Sequence, residues 1–117
     1  MTDKTLSLLG MARRAGRLSC GHDAAVEAIV KNRAALCLCS ADAADRLERE
    51  LRHACNFEHK HIPFARLPVP MAALSKAIGT RAAVVTVNDQ GFAARLQTLL
   101  AQGSSTGKDE DYAENEI

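Results

Sequence analysis

Two hydrophobic periods alternate along the chain, with Gly, Pro and Asn at the joints. Leu6, Leu8, Leu9, Ala12 and Ala15 follow a 3.6-residue stripe, and Gly16 stands where a helix end favours a left-handed residue. Leu18-Ser19 leaves room only for a stub of strand. Gly21-His22-Asp23 reads as a turn into a helix over 24–31, with Asp23 as its cap. Ala25, Val26, Ala28, Ile29 and Val30 form the apolar side of that helix, and Asn32 suits its exit.

Residues 34–39 are a continuous apolar run of strand length, the pattern of a strand buried on both faces. Ser40 and Asp42 are placed to cap the next helix. Its Ala44, Leu47, Leu51 and Ala54 share one side, with Asp45/Arg49 and Glu48/Arg52 paired on the other. His61 to Arg66 reads as a strand that Pro63 puts at a sheet edge. Leu67-Pro-Val-Pro70 is a stiff apolar loop, and Met71 to Ile78 a short helix closed by Gly79. Residues 82–87 form a third buried strand, Asn88-Asp89 a turn, and 90–102 a final helix packed through Phe92, Leu96, Leu99 and Leu100. Such alternation predicts an α/β fold: a three-layer α-β-α sandwich around a mixed sheet of about four strands.

With 117 residues, one domain over 1–102 can bury a core without disulfide or metal staples. Residues 103–117 read as a disordered acidic tail. Formal charge is +1, but the average conceals a split. Residues 102–117 carry one base against five acids, which leaves +5 on residues 1–101, with 14 basic and 9 acidic side chains. No acid falls between Lys4 and His22, where Arg13, Arg14 and Arg17 cluster. A body of this kind permits a polyanionic partner. Phe57, Phe64, Phe92 and Tyr112 are the only aromatics, too few for a base-stacking platform, so an RNA partner would be read by shape and backbone.

The chain has no span long enough for a membrane and its first residues carry no export signal. The expected address is therefore the cytoplasm, with Cys20, Cys37, Cys39 and Cys55 reduced. Three chemistries were weighed. Catalysis lacks converging titratable groups, and no phosphate-cradling glycine loop is present, so no enzyme is expected. A metal site from Cys55, His59 and His61 matches no zinc spacing, so neither metal nor cofactor is expected. The third is the turn at Gly21, where unpaired helix N–H groups and a partial positive charge suit a phosphate.

The frame Leu-Ser-Leu-Leu-Gly-Met-Ala-Arg-Arg-Ala-Gly-Arg-Leu-Ser-Cys-Gly at 6–21 resembles the YlxQ-type bacterial members of the kink-turn-binding ribosomal protein superfamily. That superfamily includes the archaeal large-subunit protein of the seven-Ae type. The likeness continues through Ala25–Ile29, Ser40–Ala43, Ile62–Phe64, Leu74–Gly79 and 82–87, about 100 of the 117 residues. It implies the same sandwich fold and a monomer binding structured, kink-turn-like RNA, ribosomal or other, in a ribosome- or translation-associated role. The implied contacts are Arg13, Arg17, Gly21, His22, Asp23, Ala24, Glu27 and Lys31, with a second loop at Leu67, Pro68 and Val69 covering an extruded base. Where strong kink-turn binders carry Asn-Glu and then Lys, this chain has Asp23, Ala24 and Glu27. Asp23 cannot donate as Asn does, and Glu27 opposes a phosphate. The alternative is a protein-interaction module that keeps the fold without RNA, using the apolar Leu67–Pro70 loop as an exposed patch.

Overall fold

A computed structural model describes residues 2–104. Five helices and four strands appear in the order α1 (Thr2–Arg14), β1 (Leu18–Cys20), α2 (His22–Val30), β2 (Leu36–Cys39), α3 (Asp45–Asn56), β3 (Phe64–Arg66), α4 (Met71–Ile78), β4 (Val84–Val87) and α5 (Gln90–Ser104). The alternating pattern was read in the right order, but every strand except β1 is shorter than its apolar run. The predicted tail at 103–117 lies outside the described residues apart from the last turn of α5.

The sheet runs β1-β4-β2-β3. β4 is antiparallel to both β1 and β2, while β3 pairs with β2 in parallel, so the sheet is mixed as expected. Both central strands are buried at every position, which explains their unbroken apolar runs. β3 lies at an edge and starts just after Pro63, whose carbonyl accepts the Cys37 N–H at 2.9 Å. Pro63 cannot donate to a ladder, and here it has no ladder to donate to.

Helices cover both faces. Leu9, Leu38, Leu74, Val85 and Leu96 belong to one buried cluster under α1, α4 and α5. Ala25, Ile29, Cys37, Leu51 and Cys55 form a smaller one under α2 and α3. Gly10 sets the spacing of α1 against α4, because a Cβ there would meet the Ala77 carbonyl at 3.0 Å.

Several local expectations change. Ala15 and Ala44 are exposed at helix ends rather than in the stripes assigned to them. Val30 is 61% exposed, because the helical period of α2 sets it to the side of the buried Ala25, Ala28 and Ile29 face. Ser40 and Asp42 do not cap α3, which begins after Ala44 with no side-chain cap. Asp42 instead accepts the Met71 N–H at 2.9 Å and so caps α4 across the fold. Asp45 turns from Arg49 toward Arg66 at 3.9 Å, while the Glu48–Arg52 pair forms at 2.7 Å.

Candidate nucleic-acid interface

The turn into α2 is built by β1. Gly21 donates its N–H to the Val84 carbonyl at 2.9 Å, which extends the β1–β4 ladder by one bond. Its φ of 96° and ψ of 164° suit glycine alone. α2 begins at once with His22, two residues earlier than an Asp23 cap would place it. Asp23 is therefore inside the first turn and caps nothing; α2 has no side-chain cap. Nothing lies within 4 Å of the position a Gly21 Cβ would take, so the backbone at Gly21 is open to close approach, and the first N–H groups of α2 have no side-chain cap.

Acids surround this opening. His22 joins Asp23 through Nδ1 at 3.1 Å and Glu50 of α3 through Nε2 at 2.9 Å. Hydrogen bonds to Asp23 and then Glu50 lift the His22 pKa above its ordinary value. Ala24 is half-buried and offers no polar group. Glu27 binds Lys31 at 2.9 Å and approaches Arg33 at 3.9 Å. The Lys31 hydrogen bond holds the Glu27 carboxyl below the usual carboxylate range, so it stays charged.

The residues assigned to one site from sequence do not come together. Arg17 precedes β1 and Gly21 follows it, so they sit at opposite ends of a strand. Lys31 lies beyond the far end of α2, about 15 Å from Gly21 at 1.5 Å per residue. Arg13 stays near Gly21: its Nε donates to the Ile78 carbonyl at 3.3 Å, closing the C-terminus of α4.

The second loop needs a larger correction. Leu67 is 1% exposed and Val69 7%, and both belong to the main core. Their backbones are fastened to the exit of β2, Leu67 N–H to the Cys39 carbonyl and Ala41 N–H to the Val69 carbonyl, each at 2.7 Å. Only Pro68 and Pro70 face solvent, so no exposed apolar patch exists there. The loop also follows β3, three strands from β1 and so about 14 Å away at the usual strand spacing.

The neighbour of Gly21 is instead the loop from Gly79 to Ala83, which leads into β4. With the end of α4 it lines an open depression of about 520 Å³ whose walls include Asp42, Ser75, Lys76, Thr80 and Arg81. Lys76 and Arg81 are exposed and carry no ion pair among the described residues. Both were missed, because only pairing β1 with β4 brings them beside Gly21.

The other candidate chemistries find no support in the geometry. Cys37, Cys39 and Cys55 are fully buried, and Cys37 is pushed up by its hydrogen bond with Cys55 and by burial, so it stays a thiol. His59 and His61 are exposed, their ring centres 6.5 Å apart, while Cys55 points into the core. Among the described residues no group of three or more His, Cys, Asp or Glu could hold a metal ion. No described helix is long and apolar enough to cross a membrane. The phenylalanines do not gather into one stacking surface: Phe64 lies under the Arg52 guanidinium at 4.6 Å, Phe92 packs on the core, and the exposed Phe57 stands beside the His53 ring at 5.8 Å.

A model of the ribosomal protein L7Ae/L30e/S12e/Gadd45 family matches residues 3–97. The chain belongs to that family. A relative in the same L7Ae-type family, "RNA-binding protein YlxQ" of Bacillus subtilis strain 168, is 36% identical over 94 residues, covering 80% of this chain and 91% of its own. A Bacillus halodurans protein of unknown function has a similar structure, with a TM-score of 0.77 and 32% identity over 84% of this chain and 97% of its own. The Giardia lamblia 15.5kD RNA binding protein shares the L7Ae-type fold at a TM-score of 0.63 and 18% identity, over 86% of this chain and 84% of its own.

Proposed function

We propose that this chain binds a sharply bent, kink-turn-like RNA without catalysing a reaction, in a ribosome- or translation-associated role. The open start of α2 at Gly21 carries the reading. It offers unpaired backbone donors and a partial positive charge where no side chain stands in the way. Arg13, Lys76 and Arg81 supply cations at the same end of the sheet, and Thr80 a hydroxyl. The name of the B. subtilis relative agrees with an RNA partner. Asp23, Ala24 and Glu27 take the places of the polar and basic side chains of strong kink-turn binders, so backbone and phosphate contacts carry the affinity. Leu67 and Val69 are buried, so the interaction-module reading keeps only Ala24, Glu27 and the exposed Pro68 and Pro70 in its favour.

A filter-binding titration against a kink-turn RNA and a straightened control tests this. Lys76→Glu with Arg81→Glu should weaken kink-turn binding about 100-fold at low salt, from two lost phosphate contacts and the like charges put in their place. Equal affinity of the double variant and the parent would remove this surface from the interface. Equal affinity of the parent for both RNAs would remove the preference for a bend.

A further inference from the structure

The opposite end of the sheet holds a second feature that the α2 start does not use. α1 and α2 end in the same way. Gly16 and Asn32 adopt left-handed φ values of 75° and 60°. The next residue is an arginine in each case. The Arg17 N–H reaches the Ala12 carbonyl at 2.9 Å and the Arg33 N–H the Ala28 carbonyl at 2.8 Å. Gly16 and Asn32 donate to Arg13 and Ile29, which completes two matching Schellman closures. Two rigid helix ends thus present two arginines side by side.

Between them lies an open depression of about 400 Å³ lined by Gly16, Arg17, Leu18, Ser19, Arg33 and Asn88. No carboxylate lines it. Asn88 is fixed from three sides: its N–H donates to the Arg17 carbonyl at 2.8 Å, its Nδ2 to Ser19 Oγ at 2.9 Å, and its Oδ1 accepts from Thr86 Oγ1 at 3.0 Å. Ser19 Oγ therefore accepts within the protein and keeps its own proton to donate. The side-chain groups at the rim are thus donors: two guanidinium groups, a hydroxyl and the second amide hydrogen of Asn88. Lys60, bound to Asn32 at 2.7 Å, adds a further positive charge beside Arg33.

Helix C-termini carry partial negative charge, and the plain structural reading is that the arginines only offset it. Two full charges exceed two half charges, however, and Glu27, the carboxylate within reach of Arg33, already binds Lys31. The geometry points to a second anion site here, which takes the phosphodiester backbone of RNA at the end of the sheet opposite Gly21. It stands independently of the function proposed above and would let the protein hold two RNA segments at once.

The test uses the full chain and a short RNA duplex, read by amide chemical shifts. Duplex should move the Arg17, Ser19, Arg33 and Asn88 signals. In Arg17→Ala with Arg33→Ala those shifts should vanish, and the salt slope of log affinity should fall by about 2, one per lost contact. Both side chains are exposed, so the variant keeps the core intact. Shifts confined to Gly21–Ala24 and Thr80–Arg81 would overturn this site and leave the proposed function standing. Shifts only at Arg17, Ser19, Arg33 and Asn88 would support the site, a straight duplex being a poor ligand for the bend-specific surface at Gly21. Shifts at neither end, or shifts unchanged in the double variant, would also overturn the site.

Discussion

Two segments lead into helices at the same end of the sheet, and the sequence predicts an RNA contact for both. The turn before α2 is exposed, glycine-shaped and uncapped. The loop before α4 has Leu67 and Val69 in the core, and Asp42 closes the start of its helix. An open helix start is available to a ligand; a closed one spends its donors on the protein. Hydrophobic character therefore does not single out the loop beside the open helix start. Leu67 and Val69 are apolar because they are buried, and the loop that lies beside Gly21, from Gly79 to Ala83, has little apolar character to attract notice.

The largest effect that separates the two segments is on stability. Leu67→Ala should cost about 2–5 kcal/mol, as expected for a leucine removed from a packed core. RNA affinity per folded molecule should be unchanged. Urea unfolding alongside filter binding checks both. Loss of affinity with little loss of stability would mean that Leu67 faces a ligand after all.

Gly21→Ala comes next. The open space around Gly21 means that an added methyl clashes with nothing, so the whole penalty is the backbone conformation. That costs about 1–3 kcal/mol, and denaturant melts should show it without any change in the cooperativity of unfolding. A neutral result would mean that the turn relaxes and that its left-handed geometry is not required.

The two helix starts can also be compared by removing one aspartate from each. Asp42→Ala strips the cap from α4 and should cost about 1 kcal/mol. Asp23→Ala removes no cap and should stay within about 0.5 kcal/mol. If thermal melts put the two costs in the reverse order, α2 is capped in solution and its donors are not free.

Much of this was legible in the residues. The centres of the 3.6-residue stripes, the continuous apolar runs of β2 and β4, and the exits at Gly16, Asn32 and Gly79 all report local geometry and are legible in the sequence, whereas the stripe ends at Ala15, Val30 and Ala44 are exposed. What failed depends on which segments meet. Asp42 caps a helix 29 residues away, and Arg66 draws Asp45 from its expected partner Arg49. Likewise, Arg17 stands only four residues before Gly21 in the chain, yet strand β1 carries it to the far end. Arg33, Lys76 and Arg81 carried no local signal, and only the strand order β1-β4-β2-β3 gives them meaning.

The smallest expected difference is a pH dependence confined to the α2 start. His22 is held by Asp23 and Glu50, and its raised pKa means that the folded state binds the proton more tightly than the unfolded chain. The resulting stabilisation is fully present below the unfolded value near about 6.5 and is lost as pH rises through the higher folded value. His22 is half-exposed, so solvent screening limits the effect to about 0.5 kcal/mol or less. Melting temperature of the parent minus that of His22→Gln should therefore fall on going from pH 6 to pH 8. The α4 start has no titrating group in this range, because Asp42 is held below the usual carboxylate range by Ser40 and by the Met71 N–H. The Asp42→Ala difference should thus be flat over the same interval. A His22 difference that is equally flat would show that its ties to Asp23 and Glu50 do not persist in solution, leaving the Asp23 carboxylate uncompensated in the first turn of α2 and that turn less welcoming to a phosphate.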